Sequence, residues 1–139
     1  MIEKYYRYKM NYHDYVIFIK SGIFYECIAN DALIINILFN YKVKIFGNTV
    51  KVGFPIKNID CVKEKMKKYD INYIIVEDDK ISDIYEIDGN NYAKYKVNMD
   101  SVLYTFLFIR KVLLIYIKIY KNILTNICSY DILILLGVI

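Results

Sequence analysis

The chain has 139 residues, of which 57% are apolar, which is enough for one domain with a sizeable core and excludes a wholly disordered chain. Its formal net charge is +4, which is modest for a nucleic-acid-binding protein. The charge is unevenly distributed, because residues 40–68 hold eight lysines against two acidic residues. This segment is either a surface that faces an anionic partner or the solvated face of a helix.

Three cysteines lie far apart and form no Cys-x-x-Cys pair, so the sequence predicts neither a disulfide framework nor a zinc cluster. The N-terminal residues lack the apolar run of a signal peptide. We therefore expect a cytoplasmic protein that binds no metal and no other cofactor.

Alternating helices and strands are predicted along the first half of the chain. Strands are expected where short β-rich apolar runs lie between turn residues, and helices where apolar residues recur every three or four positions. The predicted order is a helix at 2–11, a strand at 14–20, a turn at Ser21-Gly22, an extended segment at 24–27, a helix with Asn30 or Asp31 as N-cap, a hairpin at 41–52, a helix at 59–69 with Val62 and Met66 inward, and a strand at 71–76. Strands separated by helices of this length predict an α/β fold with a mixed sheet.

Beyond these elements the signals are weaker. Gly53-Phe54-Pro55 is expected to end the hairpin, because glycine and proline interrupt strands. Residues 77–80 predict a solvated acidic break, residues 85–87 one more strand, and residues 90–96 a short helix.

Several short motifs follow one another between residues 5 and 77. They are Tyr-x-x-x-Lys at 5–9, the apolar strand at 15–19, Gly22-x-Phe24-Tyr25-Glu26, Asp31-Ala32 at a helix start, the hairpin, Gly53-Phe54-Pro55, and a strand followed by Glu77. In this order and spacing the segment resembles the N-terminal mismatch-reading domain of the MutS DNA mismatch-repair proteins. Within these motifs, Gly22, Gly53 and Pro55 are expected to have structural roles.

The resemblance implies a mixed β-sheet flanked by helices, which enters the minor groove of double-stranded DNA at a mispaired base. It also implies that Phe24 stacks on that base and that Glu26 makes a hydrogen bond to it. Because side chains alternate along an extended segment, Phe24 and Glu26 point to the same side and can share one target. A carboxylate near phosphates is repulsive unless it meets a donor, so Glu26 would discriminate between bases rather than add affinity.

Four lysines near these motifs are expected to contact the DNA backbone in a salt-dependent manner. They are Lys42, Lys44, Lys51 and Lys57. The alternative for Phe24 is an ordinary core aromatic, and the alternative for Glu26 is a surface carboxylate or an ion-pair partner of Lys20.

The segment also departs from the family pattern. Ile23 stands where the family usually has an acidic residue, and Ile56-Lys57 replaces its usual Tyr-His. No Gly-x-x-x-x-Gly-Lys-Ser/Thr motif occurs, so the sequence predicts no P-loop ATPase and an ATP-independent activity. We expect no enzyme, since His13 has no nucleophile that the sequence places beside it and the carboxylates at 77–79 are more typical of an acidic loop than of a metal site.

The sequence divides into a domain at residues 1–98 and an apolar, basic, helical tail at 99–139. A membrane-spanning helix at 102–120 is disfavoured, because Arg110 and Lys111 would lie at its centre. A buried or partner-facing helix is favoured, an interfacial membrane helix is the next alternative, and a remnant of a longer or frame-altered chain is the third.

Two functional classes remain open at this point. The first is a DNA-binding module for mispaired or distorted duplex, which reads DNA through Phe24 and Glu26. The second is a non-catalytic interaction or scaffold module that keeps the fold and uses residues 102–139 to form oligomers or to dock on a partner or a membrane. Resemblance in fold does not decide between them.

Overall fold

The structure is a computed structural model that describes residues 1–96, 105 and 108–123. The chain divides into two units, Met1–Met99 and Asp100–Ile139, and each is described by itself. The helices of the first unit are α1 (Ile2–Lys9), α2 (Ala29–Phe39), α3 (Ile59–Lys68) and α4 (Tyr92–Tyr95), and a 3-10 turn covers Ile56–Asn58. Its strands are β1 (Val16–Ser21), β2 (Phe24–Ile28), β3 (Lys44–Phe46), β4 (Thr49–Pro55), β5 (Tyr73–Glu77) and β6 (Lys80–Tyr85).

The six strands form one sheet in the order β3-β4-β2-β1-β5-β6. Strands β1 and β5 are parallel, and all other neighbouring pairs of this sheet are antiparallel. A parallel pair needs a long crossover connection, which here contains β2, α2, the β3–β4 hairpin and α3. The predicted α/β fold with a mixed sheet flanked by helices is confirmed.

Helix α1 covers the centre of one sheet face, which we call the α1 face. Tyr5 of α1 is 1% exposed, and it belongs to one core cluster with Ile17 and Ile19 of β1 and with Ile74 and Val76 of β5. These strand residues occupy alternate positions, so their side chains leave the sheet on the same side. Burying each such side chain stabilises the fold by about 1.5–3 kcal/mol, which fixes α1 on the sheet.

The opposite face, which we call the α3 face, is packed with aromatic rings. Phe18 meets Phe54 and Tyr73 edge-on, with ring centroids 5.7 and 5.9 Å apart. Helix α3 lies over this face, because Lys67 Nζ is 5.6 Å from the ring centroid of Tyr85, the cross-strand partner of Tyr73. Edge-to-face pairs at these distances add to the free energy gained by burial alone.

A buried polar network joins four elements. Lys9 Nζ and the Tyr92 hydroxyl each donate to Asp31 Oδ1 at 2.8 Å, and the Ile17 N–H donates to Asp31 Oδ2 at 3.0 Å. Asp31 is 0% exposed, and burial raises its pKa while Lys9 opposes the shift. The network ties α1, β1, α2 and α4 together. Lys9 also lies over the ring of Tyr5, one helical turn earlier, with Nζ 5.9 Å from the ring centroid.

Three local predictions were wrong. Helix α2 begins at Ala29 after Ile28 as N-cap, with no side-chain cap, so neither Asn30 nor Asp31 caps it. Strand β4 continues through Gly53-Phe54-Pro55 instead of ending there, because it pairs with β2 along this whole stretch. The strand expected at 85–87 lies at Lys80–Tyr85, directly after a two-residue turn.

That turn, Asp78-Asp79, is the expected acidic break. Its residues have φ angles of 47° and 62°, as a type I′ hairpin turn requires, and aspartate tolerates this left-handed region better than most residues. The helix at 59–69 is confirmed as α3, with Val62 and Met66 buried as predicted.

The described residues of the second unit, 105 and 108–123, are helical, and we call the helix at 108–123 α5. The remainder of the expected tail, including the apolar run at 132–139, lies outside the described residues. Among the described residues, no helix is long and apolar enough to cross a membrane.

Candidate nucleic-acid interface

Strand β2 presents Phe24 and Glu26 on one side of the sheet and Tyr25 and Cys27 on the other, as its alternation predicts. Phe24 is 41% exposed, whereas Tyr25 and Cys27 are buried on the α3 face. Ile28 shares the side of Phe24 and Glu26 but is 0% exposed, because it belongs to the core cluster of the α1 face. The α1 face is therefore covered at one end of β2 and open at the other, where Phe24 stands.

The β1–β2 turn (Gly22 and Ile23) sets the position of Phe24. Ser21 pairs with Phe24 across the hairpin, and Gly22 has a φ of +59°, a conformation that residues with a Cβ rarely adopt. Ile23 is 74% exposed, and its carbonyl accepts the Ile56 N–H at 3.1 Å. The exposed ring thus sits on a strand end that is held on both sides.

Glu26 lies opposite Gly53 of the neighbouring strand β4. The two residues are cross-strand partners, and a Cβ on Gly53 would lie 3.6 Å from Glu26 Cγ. Glu26 Oε1 accepts from Lys51 Nζ at 2.8 Å, with side-chain exposures of 15% and 24% for the two residues. The alternative partner Lys20 is not used, since Lys20 pairs with Glu77 at 3.6 Å.

The four sequence-predicted lysines are only partly brought together. Lys44 is the cross-strand partner of Lys51, so both point to the side of Glu26. Lys57 is exposed in the 3-10 turn directly after Ile56, which bonds to the β1–β2 turn. Lys42 is exposed in the connection before β3. Lys57 thus lies near the open end of the α1 face. Lys51 and Lys44 lie level with Ile28, at the covered end, and Lys51 reaches back to Glu26. Lys42 lies outside the sheet.

Pro55 is the cross-strand partner of Phe24. It is the last residue of β4, a position where the missing N–H of proline costs no hydrogen bond inside the sheet. Gly22 and Pro55 are thus explained structurally, because one turns the chain and the other ends the strand beside Phe24. Gly53 lies opposite Glu26, where a Cβ would make an ordinary contact with the carboxylate side chain.

A polar cluster behind the interface was not foreseen from the sequence. On the α3 face, the Tyr25 hydroxyl donates to Glu77 Oε1, and Lys20 pairs with the other oxygen of Glu77. Burial, together with Glu77, raises the pKa of Tyr25 to about 12, and the bond from Tyr25 lowers the pKa of Glu77. Tyr25 and the acidic residue at the end of β5, Glu77, both belong to the family motifs found in the sequence. Their presence in one motif set was the sequence signal that could have predicted this contact.

The remaining acidic and histidine candidates find protein partners. Asp79 pairs with Lys4 at 2.8 Å and with Arg7 at 3.6 Å, which hold its pKa below the ordinary value. His13 is exposed and its Nε2 lies 3.2 Å from Asp14 Oδ2. Within residues 1–96, 105 and 108–123, no group of three histidine, cysteine or acidic side chains is arranged to hold a metal ion.

The arrangement can bind a flat apolar surface beside an anionic one. An exposed ring stands at a fixed strand end, a carboxylate neutralised by Lys51 lies on the same side, and the exposed Lys57 follows the strand that pairs with Phe24. Base stacks bordered by phosphates have this combination of surfaces.

Comparison with known proteins identifies the domain. The family model for MutS domain I matches residues 1–99, which is most of the chain. No curated protein matches the sequence. The chain therefore belongs to the MutS domain I family.

Proposed function

We propose that this chain is a non-catalytic DNA-binding module that recognises mispaired or distorted duplex by inserting Phe24 at the weakened base step. The observation that carries the proposal is that Phe24 of a MutS domain I strand is 41% exposed and points to the same side as Glu26. The module acts without ATP, metal or another cofactor.

Insertion of the Phe24 ring between base pairs is favourable only where the stacking of those base pairs is already disturbed. Inserting a ring costs unstacking energy of a few kcal/mol, and a mismatch lowers that cost. Stacking of the ring on a base returns about 1–3 kcal/mol. Phe24 is 41% exposed in the free protein, so part of the ring is accessible before it inserts.

Glu26 supplies discrimination through an exchange of partners. In the free protein Lys51 neutralises its carboxylate at 2.8 Å. On binding, Glu26 accepts a hydrogen bond from a displaced base, and Lys51 turns to a phosphate. A fully paired base offers Glu26 no free donor, so the exchange then leaves a carboxylate unpaired among phosphates, which is unfavourable.

Lys44 and Lys57 contribute affinity without sequence information. Both are exposed, so contact with phosphates requires little rearrangement of the protein. Each phosphate contact makes the logarithm of affinity fall more steeply with the logarithm of salt concentration, by about 0.9 per contact. Because only a few cations take part, binding is weak and its salt dependence is modest, about 0.9 in slope for each contact.

The test measures binding of the full chain to matched and mismatched duplexes at two salt concentrations, with Phe24→Ala and Ile84→Ala compared with the unmodified chain. Ile84 is the matched control, since it is 48% exposed on β6, away from β2. We expect Phe24→Ala to lose preference for the mismatch by about tenfold or more and Ile84→Ala to keep it. Equal affinity of the unmodified chain for both duplexes would refute mismatch recognition.

A second candidate is an interaction module that keeps the fold without binding DNA. It is favoured by the engagement of Glu26 with Lys51 and by the exposed apolar side chains of α5. No detectable binding to either duplex at low salt would select this candidate.

A further inference from the structure

Helix α5 combines a very apolar composition with exposure to solvent. Of its sixteen described residues, eleven are large apolar side chains, and these are 42% to 66% exposed. A single exposed apolar residue is ordinary, but a contiguous set of this size marks a surface that another phase or molecule covers.

The basic residues of α5 are confined to one side. At about 100° per residue, Arg110, Lys111, Lys118 and Lys121 fall within an arc of about 100°. Asn122 lies at the edge of that arc, and Leu114 is the one large apolar residue inside it. The remaining arc of about 240° carries only apolar side chains, and residues 108–123 include no acidic residue.

We propose that α5 docks in the plane of an anionic membrane surface, with its apolar arc in the outer acyl region and its basic side facing the lipid headgroups. A wide apolar face with a basic polar face is the pattern of interfacial helices. Arg110 and Lys111, which would oppose a membrane-spanning position, lie on the side that meets the phosphates.

A second copy of α5 would cover only part of the apolar arc and would not pair with the basic residues. A coiled-coil seam covers a narrow stripe of apolar positions, so a pair of α5 helices would leave most of each apolar arc in water. The pair would also bring cations together without a carboxylate from either helix to pair with them. A lipid surface covers the whole arc and supplies dispersed negative charge, which meets both requirements.

The test mixes the full chain with phosphatidylcholine vesicles, with and without about 30% phosphatidylserine, and measures co-sedimentation. We expect binding to the anionic vesicles and little binding to phosphatidylcholine alone. Ile109→Ser removes an apolar side chain near the middle of the apolar arc and is expected to weaken binding about tenfold. Arg110→Gln with Lys111→Gln is expected to weaken it about fivefold per residue.

Two controls separate this proposal from DNA binding and from loss of folding. Phe24→Ala should leave vesicle binding unaltered. Thermal unfolding of the α/β domain should be the same in the unmodified chain and in the α5 variants, because their changed positions lie outside Met1–Met99. Equal binding to both kinds of vesicle, no binding to either, or a stable dimer that forms without lipid and prevents vesicle binding would each overturn the proposal.

Discussion

The ion pair between Glu26 and Lys51 gives a prediction that separates folding from DNA binding. Glu26→Gln removes the acceptor charge and releases Lys51, whereas Lys51→Gln leaves Glu26 as an uncompensated carboxylate. In the free protein both changes act on the same contact, so their effects on folding have the same sign. On DNA the two changes alter the charge of the interface in opposite directions.

The magnitudes follow from the burial of the pair. The side chains are 15% and 24% exposed and their atoms are 2.8 Å apart, which places the pair between a surface ion pair and a buried one. We expect each substitution to lower the free energy of unfolding by about 1 kcal/mol. On matched duplex, where Glu26 of the unmodified chain finds no base donor and keeps Lys51, a released Lys51 that meets one phosphate steepens the salt dependence by about 0.9. This is about a three- to fourfold larger loss of affinity between about 50 and 200 mM salt.

Urea unfolding and fluorescence anisotropy with a labelled duplex measure these quantities. We expect Glu26→Gln to bind matched and mismatched duplex more tightly at low salt with less discrimination, and Lys51→Gln to bind both more weakly. The matched control is Asp83→Asn, which releases Lys63 from a pair of 2.7 Å on the α3 face. If Asp83→Asn raised affinity and salt dependence as much as Glu26→Gln does, net charge alone would explain the effect and the exchange of partners would be refuted.

Two further predictions concern the interior and the support of the interface. Asp31→Asn leaves Lys9 without its buried counter-charge and should lower the free energy of unfolding by about 3–5 kcal/mol in urea titrations, whereas a loss below about 1 kcal/mol would mean that the charge is dispensable. The folded-state pKa of Glu77 is lowered from its ordinary value of 4.5, so its contribution to stability is present at neutral pH and is lost as pH falls from about 5 through the folded pKa. Thermal unfolding of Glu77→Gln should lack this part of the acid dependence, and an unchanged pH profile would contradict it.

The central elements were predictable because their sequence patterns are local. The apolar run of β1 and the inward spacing of Val62 and Met66 on α3 identify a strand and a helix without knowledge of neighbours. The common side of Phe24 and Glu26 follows in the same way from the two-residue period of a strand. These features depend on residues a few positions apart, so a single sequence contains them.

The wrong predictions concern features that tertiary contacts decide. Asp31 has the composition of an N-cap, but in the structure its carboxylate meets Lys9, Tyr92 and the backbone of β1, which are distant in sequence. Strand β6 has exposed, mixed side chains with no clear period, and its pairing with β5 is what makes it a strand. Local propensity gives no signal for either outcome.

The partner of Glu26 shows the same limit within the candidate site. Lys51 is 25 residues away along the chain, and it reaches Glu26 because β2 and β4 pair in a register that places Gly53 opposite the carboxylate. From the sequence alone, Lys20 was an equally reasonable partner. The register of β2 and β4 forms only in the assembled sheet, and it determines which lysine neutralises Glu26.

A strand, rather than a loop, carries the candidate wedge, and this has a functional consequence. The same side of β2 changes from Phe24 at 41% exposure to Ile28 at 0% over five residues, so the residue that would enter DNA is anchored by core contacts on its own strand. A side chain on a rigid element loses little conformational entropy when it binds. At the adjoining turn the exposed Ile23 brings no negative charge toward the phosphates, where the family usually has an acidic residue. Under the proposed function, the free energy of stacking is therefore available to separate weakened base pairs, and we expect a mismatch, which needs the least of it, to be the preferred site.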